Sequence, residues 1–269
     1  MKKYSFVYVV VIYKSLEDLN DLRESIIQQN QSYRIVLVNN YADDESLQEV
    51  RETAAQFDDV DLIEEENRGY GAGNNAGIEF AIKSYQFDYI VICNSDTIIE
   101  RFDTSLLDVP SKSAIYAPEI TCRTGKKQNP NWVFYNALAE KIQYKACKQE
   151  NKILDYTAIA LLKFPRMIYQ SFFGKSKKKK IYSAHGAFLI LSSNAIKKLV
   201  PLYDENMFLF YEEVYLANRA KKRGVETFYV PQIKIFHKED GSMKLANVNQ
   251  RQLAHESVVY YYEHKKVHN

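Results

Sequence analysis

The sequence has little of what defines several large classes of protein. Its three cysteines, Cys93, Cys122 and Cys147, are odd in number and too far apart for a zinc-ligand pair, so we expect reduced thiols in a cytosolic protein. No apolar run reaches the roughly 18 residues that a membrane span requires. With 36 Lys and Arg against 34 Asp and Glu, the formal net charge of +2 provides no field that favours nucleic acid.

Glycine and proline are also scarce, and their positions exclude two nucleotide-binding motifs. No GxxxxGK[ST] segment is present, which excludes a P-loop. The turn after the first predicted strand, Tyr13-Lys14-Ser15, contains no glycine, which argues against a dinucleotide fingerprint and against the glycine-rich loop of a nucleotidyltransferase. No repeat or Pro/Gly-rich linker divides the chain, so we predict one domain over residues 1–240, with an irregular, helical insertion at about 125–182 and a C-terminal tail at 241–269.

What the chain does have is a regular alternation of apolar strands and amphipathic helices. In the first hundred residues this alternation predicts a parallel, right-handed βαβ sheet within an α/β fold. The predicted strands are 4–13, 34–38, 60–64, 89–93, 187–191, 225–230 and 233–237. Leu19, Leu22 and Ile26 recur at helical spacing and predict the first helix. Further helices are predicted at 44–57, 74–85, 132–144, 156–173 and 211–222, the last of them stopped by Gly224.

Polar segments follow three consecutive predicted strands, where ligands of open α/β sheets bind. They are Asn39-Asn40, the glycine-rich 66–75 and Asn94-Ser95-Asp96. By itself the glycine-rich segment indicates only a tight turn that needs positive φ. Asn94 and Asp96 offer oxygen ligands to Mg²⁺ or Mn²⁺, which would take its remaining ligands from diphosphate and water.

Two further features lie in the second half of the sequence. Glu212 and Glu213 follow an aromatic run at the start of a predicted helix. Acids are common at that position for electrostatic reasons alone, but a carboxylate dried by aromatics also suits a general base. His237 ends the last predicted strand, and a lone histidine there is structural unless other ligands accompany it.

In order, these segments resemble the family-2 glycosyltransferases of GT-A fold, particularly the bacterial rhamnosyltransferase-like branch. The resemblance covers roughly residues 5–242 and implies a mostly parallel central sheet flanked by helices. It rests on VVVIYKS, VNN, ENRGYGAGNNAG, ICNSDT, HGAFLI, FLFYEEVYLANRAKKRG, YVP and IFHKEDGS.

The resemblance also implies roles for individual residues. Asn39 would read the nucleobase, and Glu213, with Glu212 beside it, would be the catalytic base. Asp96 and His237 would hold the divalent metal, Mn²⁺ or Mg²⁺. The remaining donor-binding positions are Asn67, Gly71, Gly73, Asn74, Asn94, Ser95, Gly186 and Ala187.

Three positions depart from the usual family pattern. Asn39 and Glu213 each replace a residue that is usually Asp, and Tyr215 stands where an acid is common. These departures keep open an alternative in which the protein is a catalytically silent scaffold or binding subunit.

The expected activity is inverting, metal-dependent sugar transfer from dTDP-rhamnose or a UDP-sugar to a glycan hydroxyl. The resemblance implies a lipid-linked acceptor in bacterial capsule, O-antigen or cell-wall synthesis, and a cytoplasmic protein. The basic run Lys175–Lys180 would place it at the inner face of the plasma membrane, unless that run is simply a solvated loop. The tyrosines at 260–262 are a candidate homodimer contact.

Overall fold

The computed structural model describes residues 1–13, 16, 18–41, 44–173, 178–239 and 249–265. Within these residues one sheet is built from β1 Lys2–Ile12, β2 Tyr33–Tyr41, β3 Val60–Glu66, β4 Tyr85–Asn94, β5 Thr97–Arg101, β6 Ala114–Cys122, β7 Lys179–Ile181, β8 Phe188–Ser192 and β9 Glu226–His237. The helices are α1 Leu19–Ile27, α2 Asp44–Ala54, α3 Tyr70–Ser84, α4 Ala137–Lys148, α5 Lys152–Phe173, α6 Ser193–Leu199, α7 Glu212–Lys222 and α8 Gln250–His264.

The sheet consists of a parallel half and a mixed half. Its strand order is β3-β2-β1-β4-β8-β6-β9-β5, with β7 on the edge of β9. The first four of these strands are parallel and are joined through α1, α2 and α3, which confirms the predicted βαβ arrangement. Strand β8 runs antiparallel to both β4 and β6, so the second half of the chain returns across the middle of the sheet.

The central strand β1 is buried on both faces, which explains its continuous apolar sequence. Because successive side chains point to opposite faces, Tyr8 and Val10 pack in one core and Val7 and Val9 in the other. Helix α1 covers the first core through Leu22, and helices α3, α5 and α6 contribute to the second.

Several predicted boundaries were wrong. The helix predicted to begin at residue 74 begins at Tyr70, so Gly71 and Gly73 lie within it; only Gly69, its N-cap, has a positive φ of 102°. The helix predicted from Trp132 begins at Ala137, because Asn136 caps it and Trp132 instead pairs with Ser183.

The strands were also predicted too short. Strand β4 begins four residues earlier than expected, and the two strands predicted at 225–230 and 233–237 form the single strand β9. Its register against β6 shifts near Pro118, which explains why the apolar pattern breaks there.

The predicted C-terminal tail includes helix α8, which packs on the domain. Tyr261 is buried, Tyr262 stacks on Tyr144 with ring centroids 4.2 Å apart, and Lys265 pairs with the buried Glu140. These contacts are internal, and a homodimer through the same tyrosines stays a prediction. The three cysteines are buried and free. Among the described helices, none combines the length and apolar content needed to cross a membrane.

Candidate active site

The carboxyl ends of the parallel strands bring the first predicted residues together. Ile12 of β1 lies opposite Asn39 of β2, and Val11 lies opposite Asn94 of β4. Asn39 is 1% exposed, and neither polar atom of its side chain has a hydrogen-bond partner among the described residues. A buried, unpaired amide is energetically costly, so its donor and acceptor are available to a ligand.

The glycines after β3 allow the start of α3 to pack closely against its neighbours. A Cβ atom on Gly73 would lie 2.9 Å from Oδ1 of Asn40, and one on Gly69 would lie 2.1 Å from the carbonyl oxygen of Phe208. Gly71 packs on Tyr203 in the same way. Because these three positions have no side chain, α3 can pack closely against the strand ends and against the segment that precedes α7.

The two predicted asparagines of this segment have local partners. Oδ1 of Asn67 accepts a hydrogen bond from the backbone N–H of Gly69 at 3.1 Å, which shapes the turn into the helix. The amide of Asn74 donates to the carbonyl of Tyr70 at 2.9 Å, and its Oδ1 is buried without a partner among the described residues. As with Asn39, that oxygen is available to a ligand.

Asp96 and His237, the two residues predicted to hold a metal, are adjacent. Thr97 pairs with His237 across β5 and β9, which places Nε2 of His237 3.2 Å from Oδ1 of Asp96. Both side chains are buried, and the N–H of Lys238 donates to the backbone carbonyl of Asp96 at 2.9 Å. Ser95 lies beside Asp96 in the turn between β4 and β5.

Hydrogen bonds around His237 determine which ring nitrogen carries the proton. Nε2 of Gln128 donates to Glu239 at 2.8 Å, so Oε1 of Gln128 must accept from Nδ1 of His237, also at 2.8 Å. Nε2 of the ring then faces the Asp96 carboxylate. One carboxylate oxygen and one imidazole nitrogen suit Mn²⁺, although the described residues contain no group of three such ligands.

A second histidine, His185, belongs to the same cluster and was missed by the sequence analysis. Its ring centroid lies 6.1 Å from that of His237, and its backbone N–H donates to Oδ1 of Asn129 at 2.7 Å. Burial, followed by the nearby His237, lowers the pKa of His185 to about 3, so its ring is neutral. The HGAFLI motif contains His185, but the sequence does not indicate that this histidine lies beside His237.

Glu213 is held by the backbone of the HGAFLI segment. Its Oε1 accepts a hydrogen bond from the N–H of Gly186 at 3.2 Å, and a Cβ on Gly186 would lie 3.2 Å from the same oxygen. Burial raises the pKa of Glu213 and makes the carboxylate more basic. Ala187, next in sequence, accepts from the N–H of Asn94 at 3.0 Å and so joins this segment to β4.

Glu212 differs from Glu213 although they are adjacent in sequence. It is 4% exposed, and its Oε1 has no partner among the described residues. Burial and then the charge of Glu213 raise the pKa of Glu212. Both acids follow Phe210 and Tyr211, non-glycine residues with φ of 72°, a strained backbone of the kind that concentrates at functional sites.

Tyr70 lies between Asn94 and Gly186, and the sequence analysis did not single it out. Its hydroxyl lies 3.2 Å from Oδ1 of Asn94 and 3.2 Å from the carbonyl oxygen of Gly186. Its backbone N–H donates to the carbonyl of Phe208 at 3.0 Å. The sequence shows Tyr70 only as an aromatic residue within a glycine-rich segment and does not indicate these contacts.

Sequence comparison identifies the family to which this chain belongs. The model of glycosyl transferase family 2 matches residues 8–199, and the chain belongs to that family. It is 26% identical over 222 residues to the low-salt glycan biosynthesis hexosyltransferase Agl10 of Haloferax volcanii, covering 81% of this chain and 62% of that protein. It is 21% identical over 241 residues to the rhamnosyltransferase WbbL of Escherichia coli K12, covering 86% of this chain and 83% of that protein.

Solved structures show the same fold at low sequence identity. GalNAc-T7, crystallised with UDP, GalNAc and Mn²⁺, superposes with a TM-score of 0.60 at 13% identity, covering 89% of this chain and 44% of that chain. TarS of S. aureus in complex with UDP-GlcNAc superposes with a TM-score of 0.53 at 13% identity, covering 91% and 61%. The predicted GT-A fold is confirmed.

Proposed function

We propose that the protein is an inverting glycosyltransferase that moves a sugar from a nucleoside-diphosphate donor to a glycan hydroxyl. The observation that carries this proposal is the Glu213 carboxylate, held by Gly186 and connected through Tyr70 to Asn94 at the donor end of the sheet. A base placed beside a diphosphate-binding strand end is what direct displacement at an anomeric carbon requires.

In the proposed reaction, Glu213 takes the proton from the acceptor hydroxyl. The hydroxyl oxygen attacks the anomeric carbon from the face opposite the diphosphate, and the bond to the diphosphate breaks as the new bond forms. Since Gly186 donates to Oε1, the other carboxylate oxygen is the one that receives the proton. Asp96 and His237 would hold a divalent cation, which would neutralise charge on the departing diphosphate.

Asn39 is the proposed contact to the nucleobase. Its unpaired amide offers one donor group and one acceptor, which matches the imide edge of uracil or thymine. Asn67, Gly71, Gly73 and Asn74 would line the ribose side, and Ser95, Gly186 and Ala187 would lie near the sugar. This chemistry favours a UDP- or dTDP-linked donor, and the likeness to WbbL favours dTDP-rhamnose among them.

The proposed acceptor is a lipid-linked glycan of a bacterial surface polysaccharide, with the protein at the cytoplasmic face of the membrane. The name of Agl10, a glycan biosynthesis hexosyltransferase, supports a glycan acceptor. Of the basic run, Lys179 and Lys180 are exposed and Lys178 pairs with Asp108, whereas residues 174–177 lie outside the described part of the chain.

A donor screen tests the proposal. Purified protein is mixed with UDP-, dTDP- and GDP-sugars, with Mn²⁺ or with EDTA, and both thermal stabilisation and donor hydrolysis are measured. We expect metal-dependent stabilisation by a uracil or thymine nucleotide and slow hydrolysis of one sugar donor. A folded protein that responds to none of these nucleotides would favour the silent scaffold instead.

A further inference from the structure

Helix α5 carries an apolar surface on the side that faces away from the protein. Seven of its large apolar side chains are exposed: Ile153, Tyr156, Ile159, Phe164, Met167, Ile168 and Phe172. Five of these are between 55% and 77% exposed, and they recur along a helix of 22 residues, which is roughly 33 Å long. We call these seven residues the α5 stripe. A contiguous exposed apolar surface of this size marks an interaction site.

The opposite side of α5 is firmly attached to the domain. Ala158 and Tyr169 are buried, and the ring of Tyr169 lies 6.3 Å from that of Tyr229. Gln170 donates to the carbonyl of Asn129 at 2.9 Å, and Arg166 donates to that of Lys127. The orientation of the helix is therefore fixed, and the α5 stripe cannot turn inward.

The exposed Thr and Ser hydroxyls of α5 do not depend on water for their hydrogen bonds. The hydroxyl of Thr157 donates to the carbonyl of Ile153 at 2.8 Å, and that of Ser171 donates to the carbonyl of Met167 at 3.0 Å. Hydroxyls bonded to their own helix are compatible with an apolar environment.

The fully exposed charges on α5 are both positive. They are Lys152 and Lys163, while the single acid of the helix, Asp155, is half-buried; Lys179 and Lys180 farther along the chain are also exposed, with Lys180 3.0 Å from Glu226. In a dimer through α5, Lys152 and Lys163 would enter the interface without a fully exposed acid of α5 to pair with them. An anionic lipid surface attracts all of them.

We propose that the α5 stripe docks the protein on an anionic membrane, with the helix lying in the plane of the interface. Apolar side chains would enter the boundary between headgroups and acyl chains while the lysines contact lipid phosphates. One apolar helix together with a basic cluster supplies the two signals that stable peripheral binding requires.

Docking through α5 would also bring the candidate active site to the membrane. The segment bound by Arg166 and Gln170 includes Gln128 and Asn129, which contact His237 and His185. The site is therefore two hydrogen bonds from the docking helix. Only this consequence, that the membrane carries the acceptor, rests on the proposed function.

Co-sedimentation of the full chain with vesicles tests the docking. We expect binding to phosphatidylcholine vesicles that contain phosphatidylglycerol, and weaker binding to phosphatidylcholine alone. Phe164→Glu should reduce the partition coefficient about 10-fold or more, since burying one large apolar side chain is worth at least that factor. Phe164→Ser repeats the test without adding charge.

The matched control is Ile27→Glu, which changes an exposed apolar residue on α1, against the opposite core of the sheet. It should bind vesicles like the unchanged protein. Equal binding by the Phe164 variants and the unchanged protein, or no vesicle binding at all, overturns the proposal. Light scattering that shows a dimer broken by Phe164→Glu would instead assign the α5 stripe to a second copy. Donor stabilisation in vesicle-free solution reports on the transferase proposal separately.

Discussion

Nε2 of His237 and Oδ1 of Asp96 lie 3.2 Å apart, at the point where β9 and the turn after β4 meet. A chain of side-chain hydrogen bonds from Glu239 through Gln128 fixes the histidine ring in this orientation. One carboxylate oxygen and one imidazole nitrogen at this spacing would suit a divalent cation beside the proposed donor diphosphate.

Replacing Asp96 tests this relationship directly. We expect Mn²⁺ to raise the Tm of the protein in the presence of the preferred nucleoside diphosphate, and Asp96→Ala to abolish that increase, since the carboxylate supplies the anionic ligand. Asp58→Asn changes an exposed acid and serves as the control. An Mn²⁺ response that persists in Asp96→Ala would place the metal elsewhere.

Glu213→Gln should separate the proposed proton transfer from donor binding. Loss of a general base lowers the rate by about 10²–10⁴-fold, while nucleotide affinity should change little because Glu213 is not among the residues proposed to contact the nucleobase or the diphosphate. Transfer rates and calorimetric affinities measure the two effects. Glu49→Gln, on the exposed side of α2, is the control. An unchanged transfer rate in Glu213→Gln would show that Glu213 is not the general base.

Glu212 should make the stability of the protein depend on pH. Burial raises its pKa in the folded state, so the folded protein holds a proton that the unfolded chain has released. Stability is therefore greatest below the unfolded pKa and falls as pH rises through the folded pKa.

Glu212→Gln removes the buried charge and should flatten this dependence. At a pH above the folded pKa, we expect the variant to be more stable than the unchanged protein by ~1–3 kcal/mol, the range for a buried group that lacks a partner. Denaturant unfolding at acidic and alkaline pH measures the difference. A variant less stable at every pH would show that the carboxylate stabilises the fold.

Two glycines with positive φ differ in what a side chain would meet. Gly69 has φ of 102° and a Cβ there would meet the Phe208 carbonyl, whereas Gly125 has φ of 74° and nothing within 4 Å. Alanine at either position introduces backbone strain of about 1–3 kcal/mol, and the strain is greater at Gly69, whose φ of 102° and ψ of 174° essentially only glycine adopts. Gly69→Ala must in addition displace the segment before α7, so it should lower stability further and reduce transfer activity. Equal losses in the two variants would mean that the contact with Phe208 contributes nothing.

Asn39 and Asn75 are both buried asparagines, but their hydrogen bonding is opposite. Asn39 has no side-chain partner among the described residues, while Asn75 bonds to the backbone of Leu202 and Tyr203. Asn39→Leu should therefore retain or raise the Tm and weaken nucleotide binding at least about 10-fold. Asn75→Leu should lower the Tm. Unchanged nucleotide affinity in Asn39→Leu would contradict the proposed contact to the base.

The site could be predicted in part because strand ends can be read from the sequence. Asn39, Asn94 and Asp96 each follow an apolar run, and parallel strands bring such positions to one edge of the sheet. The roles of the glycines were harder to predict. Within the glycine-rich segment 66–75, Gly69 alone requires a positive φ; Gly71 and Gly73 are needed for close packing, which local sequence does not reveal.

By itself, the sequence determined the α/β class and the alternation of the first four strands with three helices, because apolar periodicity is a local property of the chain. Through its ordered motifs it also determined the family. Contacts between distant segments were decided only by the tertiary structure. Among these are His185 beside His237, Tyr70 between Asn94 and Gly186, and an apolar side of α5 that faces outward. Periodicity shows that a helix has an apolar face, but only packing decides whether the protein covers it.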